Sequence, residues 1–314
     1  MDFEKMDLFD LVKDYIQNAE NFDPDLAKKV LEFQVENIPL YKNFLEINGV
    51  SKITKIDDLP FFPVEIFKRA QIIVGVPMGY FESSGTTGQR SRVYYHEKSL
   101  ELYKVSALRS FPFNPSLIVS LVPPFEIASN SSLSYMLKIF EKKFKVIYIN
   151  DSFEIQDFPS VVERLLQYKY ADMIFTTSSQ LLRLAEYMTQ REIKFQGDVI
   201  IIETGGYKAL GRPYIRFELY EIALKVFPKA LIYTEYGMSE MFSQFYSVCN
   251  KLYKVTPYAK VFTEGSGLLK VFDFANLFTV SALYVPDRVH VVEDCFDVIG
   301  RMGEDERGCA FTFR

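Results

Sequence analysis

Between residues 116 and 234 the chain alternates apolar runs too short to be helices with longer segments of helical periodicity, and this alternation restricts the fold more than any other feature. The strand-like runs are Ser116 to Val122, Lys145 to Ile149, Ala171 to Thr177, Asp198 to Glu203 and Ala230 to Thr234; the helical segments are 131–143, 158–169, 179–189 and 214–226. Continuous apolar runs fit strands buried on both faces, and the helices between them fit crossover connections. The predicted class is therefore α/β, with mostly parallel sheets flanked by helices. In such a fold ligands gather at the carboxyl ends of strands.

Ahead of this region, residues 5–47 read as helices. Leu8, Phe9, Val12 and Tyr15 have helical spacing, and a second run opens at Asp23-Pro24-Asp25 and continues through Val30, Leu31, Phe33 and Val35. Asp57-Asp58-Leu59-Pro60-Phe61-Phe62-Pro63 then breaks the pattern. A length of 314 residues fits two domains or one large α/β unit.

A net charge of −5 argues against general nucleic-acid binding, which needs basic surface to replace phosphate counterions. The sequence has no apolar run of membrane-spanning length, and its first residues lack the basic start and apolar stretch of a signal peptide, so a cytoplasmic protein without a membrane span is expected. Cys249, Cys295 and Cys309 form no CxxC, and with His96 and His290 they make no zinc-type spacing. They read as reduced thiols, with Cys249 and Cys295 assigned to packing.

Three loops stand out. In Phe81-Glu82-Ser83-Ser84-Gly85-Thr86-Thr87-Gly88-Gln89-Arg90-Ser91-Arg92, glycines allow close approach of backbone while hydroxyls and amides can converge on phosphate oxygens. Such turns are also common surface loops that hold nothing, and the spacing is not that of a Walker motif. Thr204-Gly205-Gly206-Tyr207-Lys208 and Glu235-Tyr236-Gly237-Met238-Ser239-Glu240-Met241 each follow a predicted strand. A glycine pair lets a flat ring lie against backbone, an aromatic can stack on a base, and a carboxylate beside phosphate can hold magnesium. Glycine after a strand also serves purely geometric ends.

Taken together, Ser83 to Gly88, Thr204-Gly205-Gly206 and Tyr236-Gly237-Met238-Ser239-Glu240 resemble the successive motifs of the adenylate-forming superfamily, which includes the acyl-CoA ligases. The nearer resemblance is to the acyl-protein synthetases of bacterial luminescence (LuxE-type) and to phenylacetate–CoA ligases. It rests on Tyr207-Lys208, Met241-Phe242-Ser243-Gln244, Phe296-Asp297-Val298-Ile299-Gly300-Arg301 and Arg307-Gly308-Cys309, and extends to Tyr41-Lys42 and Leu59 to Val64.

The resemblance implies a single adenylation domain over 1–314, with a helical preface (1–80), an α/β nucleotide-binding core (81–262) and a small β-rich part (263–314). It implies that Ser83, Ser84, Gly85, Thr86, Thr87 and Gly88 line the phosphates of ATP and that Gly205 and Gly206 lie along the adenine. Tyr236 would stack on the adenine beside Gly237, Ser239 would touch the α-phosphate, and Glu240 would hold Mg²⁺. Asp287 falls at the ribose-binding position, Arg301 at the hinge-proximal arginine, and Cys309 at the acyl-accepting thiol. The implied reaction forms an acyl-AMP from a carboxylic acid, fatty in the LuxE-type enzymes, and transfers the acyl group to a protein thiol. An acyltransferase, a reductase and a carrier protein are the candidate partners.

The sequence departs from the pattern in four places. Arg90-Ser91 replaces Pro-Lys, with Arg92 as an alternative charge; Tyr207 replaces a glutamate; Val285 and Val289 flank Asp287 where threonine and glycine are usual. The chain also stops at Arg314, before the superfamily's mobile C-terminal domain and its lysine. Two alternatives stay open: a ligase or transferase that uses a carrier protein or CoA, and a non-catalytic adenylation domain serving as a scaffold subunit.

Overall fold

The computed structural model describes residues 7–83, 89–205, 216–263, 265 and 267–301. Of the residues singled out above, Ser84, Gly85, Thr86, Thr87, Gly88, Gly206, Tyr207, Lys208 and Cys309 lie outside the described residues. The chain divides into two compact units. The first comprises Met1–Phe111, Gly237–Phe245 and Leu252–Met302; the second comprises Pro112–Tyr236, Tyr246–Lys251 and Gly303–Arg314.

The first unit opens with α1 (Leu8–Asn18), α2 (Pro24–Asn37) and α3 (Pro39–Ile47). Asp23 starts α2 by accepting from the amides of Asp25 at 2.9 Å and Leu26 at 3.0 Å, with Pro24 preset for the first turn. Leu26, Ala27, Val30, Leu31 and Gln34 form its buried face. Strand β1 (Phe62–Pro63) follows, then β2 (Gly79–Glu82) and β3 (Arg92–Tyr95), which pair as an antiparallel hairpin from Gly79↔Tyr95 to Glu82↔Arg92. His96 caps α4 (Glu97–Ser110): Nδ1 accepts from the Ser99 amide at 3.2 Å, so Nε2 carries the proton it shares with the Val74 carbonyl at 3.1 Å. Burial lowers the His96 pKa and favours this neutral ring.

The second unit holds the sheet expected from the alternation. Strands β4 (Leu117–Ser120), β5 (Lys145–Tyr148), β6 (Met173–Thr177), β7 (Val199–Thr204) and β8 (Ala230–Met238) run parallel in the order β5-β4-β6-β7-β8. Helices α5 (Ser132–Phe140), α6 (Phe158–Gln167), α7 (Ser178–Gln190) and α8 (Arg216–Val226) alternate with them. Leu121, Ile174, Phe195, Ile201, Leu219 and Phe227 belong to one buried cluster that joins sheet to helices. One difference bears on the site. Strand β8 runs on to Met238, through the first four of the residues read as a loop, and leaves only Ser239-Glu240 as the turn before β9 (Met241–Tyr246).

The remaining strands return to the first unit: β10 (Tyr253–Lys254), β11 (Ala259–Thr263), β12 (Leu268–Asp273), β13 (Ala282–Val292) and β14 (Cys295–Arg301). They form an antiparallel sheet in the order β10-β14-β13-β12-β11, to which β1 adds in parallel through Phe62↔Leu283 and Pro63↔Tyr284. Cys295, at the start of β14, is buried, in keeping with its assignment to packing.

Gln34 ties the N-terminal helices to this sheet. Its Nε2 lies 3.0 Å from the Asn276 carbonyl, 3.1 Å from the Leu277 carbonyl and 2.8 Å from Ser281 Oγ, and its Oε1 accepts from the Ser281 amide at 3.1 Å. Gln34→Ala would strand the buried Ser281 amide, and we expect it to cost about 2–3 kcal/mol. Urea unfolding of the two proteins measures this, and a change below about 0.5 kcal/mol would contradict it.

Candidate functional site

In the second unit the site is built at the carboxyl ends of β7 and β8, adjacent parallel strands whose register sets Glu203 beside Thr234 and Thr204 beside Glu235. Alternation along the strand sends successive side chains to opposite faces. Glu203 is taken by the helices: Tyr220 OH of α8 donates to Oε1 at 3.2 Å, and Ser178 Oγ, in the first turn of α7, donates to Oε2. Ser178 Oγ also lies 2.8 Å from the Gly205 carbonyl, so the same hydroxyl borders the glycine loop.

Thr204 Oγ1 donates to Glu235 Oε2. Glu235 is fully buried, and burial pushes its carboxyl up to about 7; the Thr204 hydroxyl opposes the rise and the nearby Glu203 charge adds to it. Just past β7, Gly205 has φ +94°, and among the described residues no heavy atom beyond its chain neighbours lies within 4 Å of where a Cβ would stand. Glycine is favoured there for the backbone conformation. Half-buried Tyr236 follows Glu235 on the neighbouring strand. Thus two of the predicted site residues fall on neighbouring strands, Gly205 just past the end of β7 and Tyr236 within β8, one residue beyond the last β7–β8 pair.

The remaining described site residues belong to the first unit. Ser83 and Ser91 extend the β2–β3 pairing: the Ser83 amide donates to the Ser91 carbonyl at 3.0 Å, and the Ser91 amide donates back to Ser83 Oγ at 3.0 Å. Glu82 pairs with Arg90 at 3.0 Å and Arg92 at 3.3 Å, and the Arg92 guanidinium lies 5.0 Å from the centre of the Tyr80 ring. Partial burial raises the Glu82 pKa, but the two arginines outweigh it and hold the carboxyl below its ordinary value. The alternative charge sought in Arg92 is therefore shared with a carboxylate.

Gly237 leads into the Ser239-Glu240 turn, whose two residues are buried. Asn276 holds the exit of the turn on either side of Met241: Nδ2 donates to the Glu240 carbonyl at 2.6 Å and Oδ1 accepts from the Phe242 amide at 2.9 Å. Just beyond, Asp273 receives the Ser243 amide at 2.8 Å and the Ser243 hydroxyl at 2.6 Å. Burial raises the Asp273 pKa against these hydrogen bonds. Asp287 on β13 faces Arg301 across the β13–β14 pair, so the predicted ribose and hinge positions share a register.

Sequence reasoning placed Ser178 only in a stretch, Thr176 to Ser179, that could border the acyl pocket, and missed Glu203, Glu235, Asp273 and Asn276. A usable signal existed for the two glutamates, since each closes an apolar strand directly before a motif, where an unpaired carboxylate would not be tolerated. Among the described residues no group of three or more His, Cys, Asp or Glu is arranged to hold a metal ion, and no helix is long and apolar enough to cross a membrane.

No protein-family model and no curated protein matches the sequence. Solved structures share the fold. 2-Hydroxyisobutyryl-CoA ligase, in an open conformation with 2-HIB-AMP and CoA, aligns over 91% of this chain and 74% of its own with TM-score 0.60 and 13% identity. The same ligase in its postadenylation state with 2-HIB-AMP gives TM-score 0.62 at 12% identity, over 88% of this chain and 66% of that one. The luciferase-like enzyme of the nonluminescent mealworm Zophobas morio gives 0.52 at 16% identity, over 78% and 62%. The chain thus spans between 62% and 74% of these enzymes' lengths. What they share with it is the α/β fold of adenylate-forming type.

Proposed function

We propose that this chain activates a carboxylic acid with ATP as an acyl-adenylate and passes the acyl group to a thiol, the whole of 1–314 acting as one adenylation domain. The observation that carries the reading is the positive-φ backbone of Gly205 just past β7, beside strand β8, which carries Tyr236. A flat base can lie on backbone there and meet an aromatic side chain.

In this reading Gly205 and Gly206 lie along the adenine, Tyr236 and Gly237 border it, and Asp287 receives the ribose. Ser83 to Gly88 line the phosphates of ATP, Ser239 contacts the α-phosphate, and Arg301 stands near the hinge. Glu240 suits Mg²⁺, which is commonly held by one or two carboxylates with phosphate oxygens and water rather than by an all-protein cage. When bound, the ion would stabilise charge developing at the α-phosphate.

A carboxylate oxygen attacks the α-phosphorus and the bond to the bridging oxygen breaks, releasing pyrophosphate. A thiolate then attacks the acyl carbon, the bond to the AMP oxygen breaks, and AMP leaves. Cys309 is the proposed acceptor and a fatty acid the proposed substrate, in a cytoplasmic enzyme handing the acyl group on to a reductase, acyltransferase or carrier protein. A second reading, with CoA as acceptor, is favoured by the fold shared with 2-hydroxyisobutyryl-CoA ligase, solved with 2-HIB-AMP and CoA in the thioesterification state.

Exchange of labelled pyrophosphate into ATP across short, aromatic and long-chain acids tests adenylation. Exchange with at least one acid is expected, and none with any acid would sink the reading. Labelled acid should then stay on the denatured protein and be lost in Cys309→Ser; label transferred only to added CoA would decide for the second reading.

A further inference from the structure

We propose that Asn276 is a positioning residue that sets the Glu240 turn and, through it, the metal-dependent part of ATP binding; this deepens the reading of Glu240 given above. The turn between β8 and β9 has two residues, and the two peptide groups at its exit, on either side of Met241, are claimed by one side chain. Asn276 Nδ2 donates to the Glu240 carbonyl at 2.6 Å and to the Val280 carbonyl at 3.1 Å, while Oδ1 accepts from the Phe242 amide at 2.9 Å. Only a carboxamide offers a donor and an acceptor at that fixed separation.

Asn276 does not act alone. Residues 273–276 form a short 3₁₀ segment, Phe274–Asn276, started by Asp273, whose Oδ1 accepts from the Ala275 amide at 2.9 Å. Asp273 fixes Ser243 through its amide and hydroxyl, and Ser243 Oγ is 3.0 Å from Ser106 Oγ on α4. The segment 273–276 is thus a template that holds Glu240, Phe242 and Ser243 in order. Gln34 locks it from behind through the Asn276 and Leu277 carbonyls.

Every member of this network is buried. A satisfied polar network of this kind gives one geometry, where apolar packing alone would tolerate several. A carboxylate that must meet a metal needs its backbone held to a fraction of an ångström, and groups that orient such a ligand typically govern about 10- to 100-fold in metal affinity.

The test is calorimetric titration of ATP, with Mg²⁺ and with chelator, into the wild type, Asn276→Ala, Glu240→Gln and the double variant. Asn276→Ala should lose about tenfold of the affinity gained from Mg²⁺, leave chelated ATP binding within about twofold, and lose nothing further in the Glu240→Gln background. An unchanged Mg²⁺ gain, an equal loss with and without Mg²⁺, or the same loss in both backgrounds would overturn the positioning role. If Asn276→Ala fails to fold, Asn276→Asp serves: it keeps an acceptor for the Phe242 amide but no donor for the Glu240 carbonyl, and the same loss is expected. A wild type whose ATP affinity ignores Mg²⁺ would overturn the metal role of Glu240 first, and this inference with it.

Discussion

Glu240→Gln is expected to lower acid-dependent pyrophosphate exchange by at least about a hundredfold, equivalent to about 3 kcal/mol of transition-state stabilisation. The amide keeps the size of the side chain and removes its charge, while the bonds that hold the turn go to backbone groups: the Glu240 carbonyl and the Phe242 amide. Folding should therefore survive, with a thermal midpoint within about 2 °C of wild type. Exchange that persists at the wild-type rate would take the metal away from Glu240. Loss of exchange together with loss of the folded state would make the residue structural.

The second large effect concerns Glu235. Its carboxyl rises from an ordinary 4.5 to about 7 in the folded protein because it is buried, with Glu203 one strand away. Folding therefore favours the protonated acid. The stabilisation is fully present below the ordinary value and is lost as pH rises through about 7. Between pH 5 and pH 9 the protein should lose about 3 kcal/mol from this group. Glu235→Gln mimics the neutral acid and still offers Thr204 an acceptor, so it should flatten that slope and be more stable at pH 9 by a similar amount. Urea unfolding at both pH values decides the matter, and an unaltered slope in the variant would place the titration elsewhere.

The parallel sheet was readable because strands buried on both faces leave uninterrupted apolar runs, as at Leu117–Ser120 and Val199–Thr204. The glycine at 205 was readable because no other residue sits easily at its φ. The polar scaffold of the site was not. Asp273 and Asn276 look like ordinary turn residues until the chain brings β9 to them, and Gln34 looks like a polar break in an apolar helix face until its partners at 276–281 are known. Arg92 advertised a phosphate contact, but its carboxylate partner Glu82 lies ten residues earlier, on the paired strand. The extension of β8 to Met238 was hidden by its glycine and serine neighbours, which read as loop.

The order of synthesis meets an obstacle in the pairing of β1 with β13. Phe62 leaves the ribosome more than two hundred residues before Leu283, its partner, which at roughly 5–20 residues per second is a wait of tens of seconds. Gln34 waits as long for Ser281. Throughout that interval α2 carries an apolar face with no sheet to cover it, whereas Pro112–Tyr236 holds all five parallel strands nearly complete in one stretch and can close as soon as it emerges. The nascent first unit is the natural client for a chaperone, and loss of late-made strands should expose sticky N-terminal helices rather than merely trim the product.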